Sequence, residues 1–149
     1  MNNFTELNLP AYDFKIRDYG DQRQIYDLLR KKFVALTPEE WVRQHFINFL
    51  NVGKKYPASL IAVEYHIKVN SLAKRADLVV FNSYGNPWMI IECKAPAVNI
   101  TEDTLYQAAR YNMKLNVQYL VLTNGLQHYC CKYDDKELVF MDDLPDYEK

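Results

Sequence analysis

The sequence predicts an α/β layered domain built on a mixed sheet. Three observations carry that prediction: two stretches with helical periodicity and N-terminal capping residues, three apolar strand-like runs between them, and a further strand followed by the hairpin dipeptide Asn124-Gly125. Read in order, the chain is β-β-α-β-β-β-α-β-β-β.

The N-terminal part alternates loosely over Ala11–Ile16. Gln24–Leu29 is apolar enough for a second short strand, with Gly20-Asp21 as the turn between them. Thr37-Pro38-Glu39-Glu40 reads as a capping box, with Thr37 as N-cap, proline at the first helical position and Glu40 three residues after the cap. Trp41, Val42, Phe46, Phe49 and Leu50 then recur at three- and four-residue spacing, one apolar stripe of a helix ending near Gly53. Leu60–Val69, Ala76–Asn82 and Trp88–Lys94 are the three strands. Ser83-Tyr84-Gly85-Asn86 is turn chemistry, so the last two form an antiparallel hairpin. Thr101-Glu102-Asp103 caps a second helix running to about Leu115, with acids placed to complement its dipole. Gln118–Thr123, Gln127–Tyr133 and Glu137–Met141 complete the strands.

Composition bounds the function. The 149 residues suit one domain, and with 49% apolar and 25% charged residues the chain is neither disordered nor low-complexity. No apolar run approaches the roughly 18 residues that span a membrane, and Met1-Asn2-Asn3-Phe4 has no leader-like pattern. Cys93, Cys130 and Cys131 fit no disulfide framework or zinc spacing, so a cytoplasmic location is expected. A net charge of −1 argues against a dedicated basic nucleic-acid binder, although Arg30-Lys31-Lys32, Lys54-Lys55 and Lys74-Arg75 form local clusters, most simply read as solvated surface.

The charges of the middle hairpin carry the chemistry. Asp77 opens one strand before four apolar residues, and Glu92 and Lys94 close the next after four more. A symmetric Ser83–Asn86 loop places Asp77 directly opposite Glu92, with side chains about 4.5–5.5 Å apart on one face. Strand periodicity adds Lys94 to that face. Opposed carboxylates repel, and a hard divalent cation relieves the repulsion: Mg²⁺ takes one or two carboxylates and leaves positions for water and phosphate oxygens. A neighbouring ammonium on a flexible stem can steady water or phosphate. The bare (Asp/Glu)-x-Lys pattern is not diagnostic, since Asp13-Phe14-Lys15 and Asp134-Asp135-Lys136 also carry it. A plain ion pair at a strand end is the competing reading. Gln107 and Tyr111 share a helix face, with Arg110 and Lys114 close by, and on their own read as polar helix surface. Glu64 interrupts Ala62-Val63-Glu64-Tyr65 and reads either as a solvent-facing strand residue or as a third acid near a metal.

Together these residues resemble the PD-(D/E)XK phosphodiesterase superfamily and, more closely, the N-terminal nuclease domain of the restriction (R) subunit of type I restriction enzymes. The resemblance lies in Leu36–Gln44, Val63-Glu64, Arg75–Phe81, Ile90–Pro96, Gln107–Asn112 and Leu122–Gly125. It implies a restriction-endonuclease-like core, an αβββαβ mixed sheet flanked by helices, with extra N-terminal and C-terminal strands. The single domain over 1–149 then divides into a core at about 37–125, a strand extension at 1–36, and hairpin strands with a tail at 126–149. The resemblance further implies that Asp77, Glu92 and the backbone carbonyl of Cys93 bind Mg²⁺, with Mn²⁺ as a substitute. It likewise implies that Lys94 positions or activates water, that Glu64 contacts metal through water, and that Gln107 and Tyr111 orient the nucleic-acid backbone or the lysine. Ala76 stands where the superfamily name writes proline.

The chain has no Gly-x-x-x-x-Gly-Lys-(Ser/Thr), so no ATP site is expected in it, and a motor or specificity subunit would act in trans. Two functions follow: a Mg²⁺-dependent DNA endonuclease in restriction or DNA processing, or a catalytically weak or inactive nuclease-like module for DNA binding and assembly with a partner chain. His45, His66 and His128 have no ligand-spaced partners, Ser59, Ser71 and Ser83 lack a nucleophile elbow, and Cys130-Cys131 point to opposite faces of a strand. The twelve tyrosines fit strands as well as base stacking.

Overall fold

A computed structural model describes residues 4–135 and 137–147; the remainder of the expected domain, Lys136 included, lies outside the described residues. The N-terminal region forms three strands rather than two: β1 (Ile16–Tyr19), β2 (Gln22–Asp27) and β3 (Lys32–Ala35), an antiparallel sheet in the order β1-β2-β3. The reason is local. The Asp27 carboxylate accepts the amides of Leu29 and Arg30 at 2.7 and 2.9 Å, which bends the chain before the apolar Leu28-Leu29 can extend the strand. Lys31 then takes a left-handed backbone, φ 56°, and returns it as β3.

Helix α1 (Pro38–Asn48) starts at Thr37, whose hydroxyl accepts the Glu40 amide at 3.0 Å. The capping box is only half formed, because the Glu40 carboxylate turns inward to Arg30 and Gln44, each at 3.0 Å. The expected last turn of this helix is a π-helical turn, Phe49–Gly53.

The main sheet has six strands in the order β4-β5-β6-β7-β8-β9: β4 (Ile61–Val69), β5 (Leu72–Phe81), β6 (Pro87–Cys93), β7 (Tyr119–Thr123), β8 (His128–Asp134) and β9 (Glu137–Met141). All pairs are antiparallel except β6–β7, which are joined by a crossover through α2 (Glu102–Met113), so the sheet is mixed as predicted. Leu78, Val80, Met89, Ile91 and Val121 pack with Val42, Phe46 and Leu50 from the α1 side, whereas Val79, Ile90 and Leu120 pack with Ala109 of α2. The sheet therefore lies between the two helices, and strand alternation assigns its faces.

Two irregularities position the site. Strand β5 starts at Leu72, four residues before the expected Ala76, so Lys74 and Arg75 belong to the β4–β5 hairpin. Within that hairpin Val63 pairs with Leu78 and Tyr65 with Ala76, but Glu64 has φ 51°, and the ladder skips the place where it would meet Asp77. The break reverses the alternation. Ahead of it in β4, Ile61 and Val63 pack on the α1 side; beyond it, Ile67 and Val69 pack on the α2 side.

Candidate active site

The β5–β6 register is the expected one over Leu78↔Ile91, Val79↔Ile90 and Val80↔Met89, and it shifts only toward the turn, between Val80 and Phe81. Continued one step, it sets Asp77 across from Glu92. The side chains, however, do not share a face. Reversal at the Glu64 break turns Asp77 to the α1 side, where its Oδ1 lies 3.6 Å from Arg43 Nη2 and its Oδ2 accepts the Cys93 amide at 2.8 Å. Glu92, between inward-facing Ile91 and Cys93, keeps the regular alternation and points to the α2 side, where it ion-pairs with Lys74. The expected common face is thus corrected. Strict period-2 alternation fails because the left-handed Glu64 leaves both Asp77 and Leu78 facing α1.

Glu64 is the hub of the α1 side. Its carboxylate is reached by Arg43 at 2.9 Å, by Arg30 at 3.4 Å and by Arg75, so it is not a solvent-facing strand residue. Hydrogen bonding from Arg43, reinforced by Arg75, outweighs burial and holds its pKa down at about 2. Arg43 is almost fully buried and also faces Glu40 at 3.6 Å; burial opposes its charge, but Glu40, Glu64 and Asp77 together raise its pKa. Arg30 links this cluster to Asp27 at 2.6 Å, and Gln44 joins Asp27 to Glu40 with two bonds of 3.0 Å. For the fully buried Asp27, desolvation pushes the pKa up, and the bonds from Arg30 and Gln44 bring it below its usual value.

On the α2 side, Lys74 lies over the Tyr111 ring, 5.0 Å from its centroid, and the Tyr111 hydroxyl donates weakly to the Ala73 carbonyl at 3.4 Å. Structure thus brings Glu92, Lys74 and Tyr111 together. Gln107 is exposed one turn away on α2. Lys94 follows β6; its amide donates to the Thr123 carbonyl at 2.8 Å, and its half-buried side chain has no ion-pair partner among the described residues.

The oxygens needed for a hard cation are present and close in backbone register. The Cys93 amide points to Asp77 while the next amide, that of Lys94, points the other way to Thr123; along a strand the carbonyl leaves on the same edge as its own amide, so the Cys93 carbonyl faces the Asp77 edge. Glu92 Oε1 is buried against the Lys74 ammonium, its ion-pair partner. Two carboxylates and a carbonyl suit Mg²⁺ in kind. They are not assembled: no group of three His, Cys, Asp or Glu side chains able to hold a metal ion occurs among the described residues.

Sequence reasoning missed Arg43, Arg30 and Lys74. Arg30 and Lys74 sat in basic clusters read as surface, and the only available signal for Arg43 was its i,i+3 spacing from Glu40 on the same helix. His45 and His128 are structural: the His45 ring packs 4.2 Å from that of Trp41, and His128 Nδ1 lies 2.6 Å from the Thr123 hydroxyl. The three cysteines are free and buried.

Residues 38–145 match the model of the family described as the type I restriction enzyme R protein N terminus. No curated protein matches the chain in sequence. Among solved structures, the chain is similar to a DUF820 protein from Anabaena variabilis ATCC 29413, described as a candidate nuclease, at 13% identity and a TM-score of 0.49 over 85% of this chain and 80% of that one. No helix among the described residues is long and apolar enough to cross a membrane.

Proposed function

The chain belongs to the family of type I restriction enzyme R protein N termini, and from that premise we propose that it is a divalent-metal-dependent phosphodiesterase domain acting on DNA. The observation that carries the proposal is the bond from the Cys93 amide to the Asp77 carboxylate, which sets Asp77 against the strand end that carries Glu92 and Lys94.

In this reading Asp77, Glu92 and the Cys93 carbonyl would hold Mg²⁺, or Mn²⁺ in its place, once the two carboxylates, which point to opposite faces of the sheet here, are brought together. A metal bound there would supply Lewis-acid polarisation of a phosphoryl oxygen. Lys94, a point charge on a flexible stem, places the attacking water or steadies the phosphate. Gln107 and Tyr111, four residues apart on one face of α2, orient the nucleic-acid backbone. Glu64 acts through Arg43, which touches Asp77, and is a positioning residue. DNA is the substrate in this reading, and a motor or specificity subunit is the partner.

The test is nicking of supercoiled plasmid by the purified chain with Mg²⁺. Cleavage should vanish with EDTA and with Asp77→Ala; activity that survives Asp77→Ala comes from elsewhere. A second reading, an assembly module with little activity alone, is favoured by one observation: each acid at the site is already neutralised by a side-chain cation. Co-purification of a stable partner without nicking by the isolated chain would select it.

A further inference from the structure

Strand β4 ends the main sheet on its side. Its strand partner is β5, and its other edge carries N–H and C=O groups with no ladder among the described residues. Beyond the break at Glu64 that edge borders a cleft of about 580 Å³. Consecutive residues of β4, 65–69, line it. Successive strand side chains point to opposite faces, so a run of neighbours borders one cleft only along the backbone edge. The facing wall is the β5–β6 turn and the segment between α2 and β7, which contribute Asn82, Asn86, Asn116 and Gln118. Asn82 Oδ1 accepts the amides of Tyr84 and Asn86 at 3.0 Å, which leaves its NH₂ free to donate. The other three side chains are exposed and make no hydrogen bond among the described residues. A primary amide carries a donor and an acceptor, as a peptide group does, so this wall suits the outer edge of an added strand.

We infer that this cleft takes an extended acidic segment of a partner chain as a further strand beside β4. The inference goes beyond the phosphodiesterase reading and does not rest on it: Pro87 and Trp88, which line the cleft, start β6, whereas Glu92 lies near its other end. Charge selects the occupant. The lining holds His66 and Lys68 and no Asp or Glu, in a chain with 19 acids and a net charge of −1. His66 and Lys68 are exposed on one face of β4, and Arg75 lies across from His66. Pairing two copies edge to edge brings one basic face against another, which argues against a second copy of this chain. On the other face Tyr65 rests on Phe81 and Ile67 is buried, so the added strand needs apolar residues there and acids beside Lys68. Main-chain hydrogen bonds then supply the affinity and the alternation supplies the selectivity.

The probe is a fluorescent peptide, Ser-Val-Glu-Val-Glu-Val-Ser, titrated with the full chain and read by anisotropy. Its companions are the same peptide with lysine for glutamate, the same peptide N-methylated at every valine and glutamate, and a labelled deoxyoligonucleotide of matching length. The acidic peptide should bind the parent, and the N-methylated one, equal in charge but without those donors, should bind at least about tenfold more weakly. Lys68→Glu should weaken the acidic peptide about fivefold and strengthen the lysine peptide by a similar factor, with Lys68→Gln used if the reversal impairs folding. In the isotope-labelled chain, the backbone amides of 65–69 and the side-chain amides of Asn86, Asn116 and Gln118 should shift on titration. Equal binding by the N-methylated peptide, indifference to Lys68, shifts confined to other residues, or no peptide binding at about 1 mM overturns the inference. Lys68-dependent binding of the oligonucleotide in place of the peptide assigns the cleft to nucleic acid and also overturns it. No readout involves metal or cleavage, so the phosphodiesterase reading stands or falls separately.

Discussion

Replacing Arg43 with methionine tests the ionic cluster behind Asp77. The substitution keeps the aliphatic bulk and removes a guanidinium that lies 2.9 Å from Glu64 and 3.6 Å from both Glu40 and Asp77. Breaking a buried pair on one side costs about 3–5 kcal/mol. Here every stranded acid keeps another partner: Glu40 has Arg30 and Gln44, Glu64 has Arg30 and Arg75, and Asp77 has the Cys93 amide. Arg43 Nε is itself buried without a hydrogen bond, so its removal also recovers some desolvation. The loss should therefore fall at about 2–3 kcal/mol at pH 7, read by urea unfolding. The pH dependence has a definite sign. Glu64 titrates at about 2 in the folded chain against an ordinary 4.5, so its pairing contributes stability that is present above pH 4.5 and lost as the pH falls toward 2. Because Glu64 is about one-third exposed, screening holds its share to about 1 kcal/mol. The gap between parent and variant should narrow on acidification from pH 5 to pH 3. A loss below about 0.5 kcal/mol, the size of a surface pair, or a gap that widens in acid refutes the argument.

Gly125→Ala should destabilise the chain by about 2 kcal/mol, or roughly 4–8 °C in Tm, because left-handed backbone and crowding act together. Gly125 has φ 86°, and an added Cβ would lie 2.6 Å from Leu7 Cδ2 and 3.1 Å from Val42 Cγ2; an unchanged melting curve would contradict this. Burial pushes the Cys93 thiol well up, that of Cys130 to about 12 and that of Cys131 to about 11. A colorimetric thiol reagent at pH 8 should thus find none of the three reactive in the native chain and all three after urea, whereas rapid native labelling would show that the sheet opens.

The helix–strand order was legible because periodicity and caps agree locally: Thr37 and Thr101 cap as expected, and Glu137–Met141 is a strand with the anticipated ends. Register in the central hairpin was legible too, since two apolar runs flank a short polar turn. What could not be read was the face of Asp77. It depends on a left-handed glutamate, and nothing in the residue type announces that backbone, which is uncommon outside glycine and asparagine. Nor could the partners of Arg30 and Lys74 be read: the Arg30–Glu64 contact spans 34 residues, and a basic triplet looks the same in sequence whether it is solvated or folded inward. The third N-terminal strand was hidden for the same reason, its first residue being the last lysine of that triplet.

Asp27, Arg30, Glu40 and Gln44 also bear on how small a functional fragment of this chain can be made. Residue 38, where the family match begins, and the helical cap at Thr37 together suggest a natural place to cut. A fragment starting there would retain the whole αβββαβ series, yet it would leave Glu40 inside the protein without Arg30 and Gln44 without Asp27. The strands ahead of the first helix therefore act as an internal buttress, and a minimal folding unit has to reach back at least to β2.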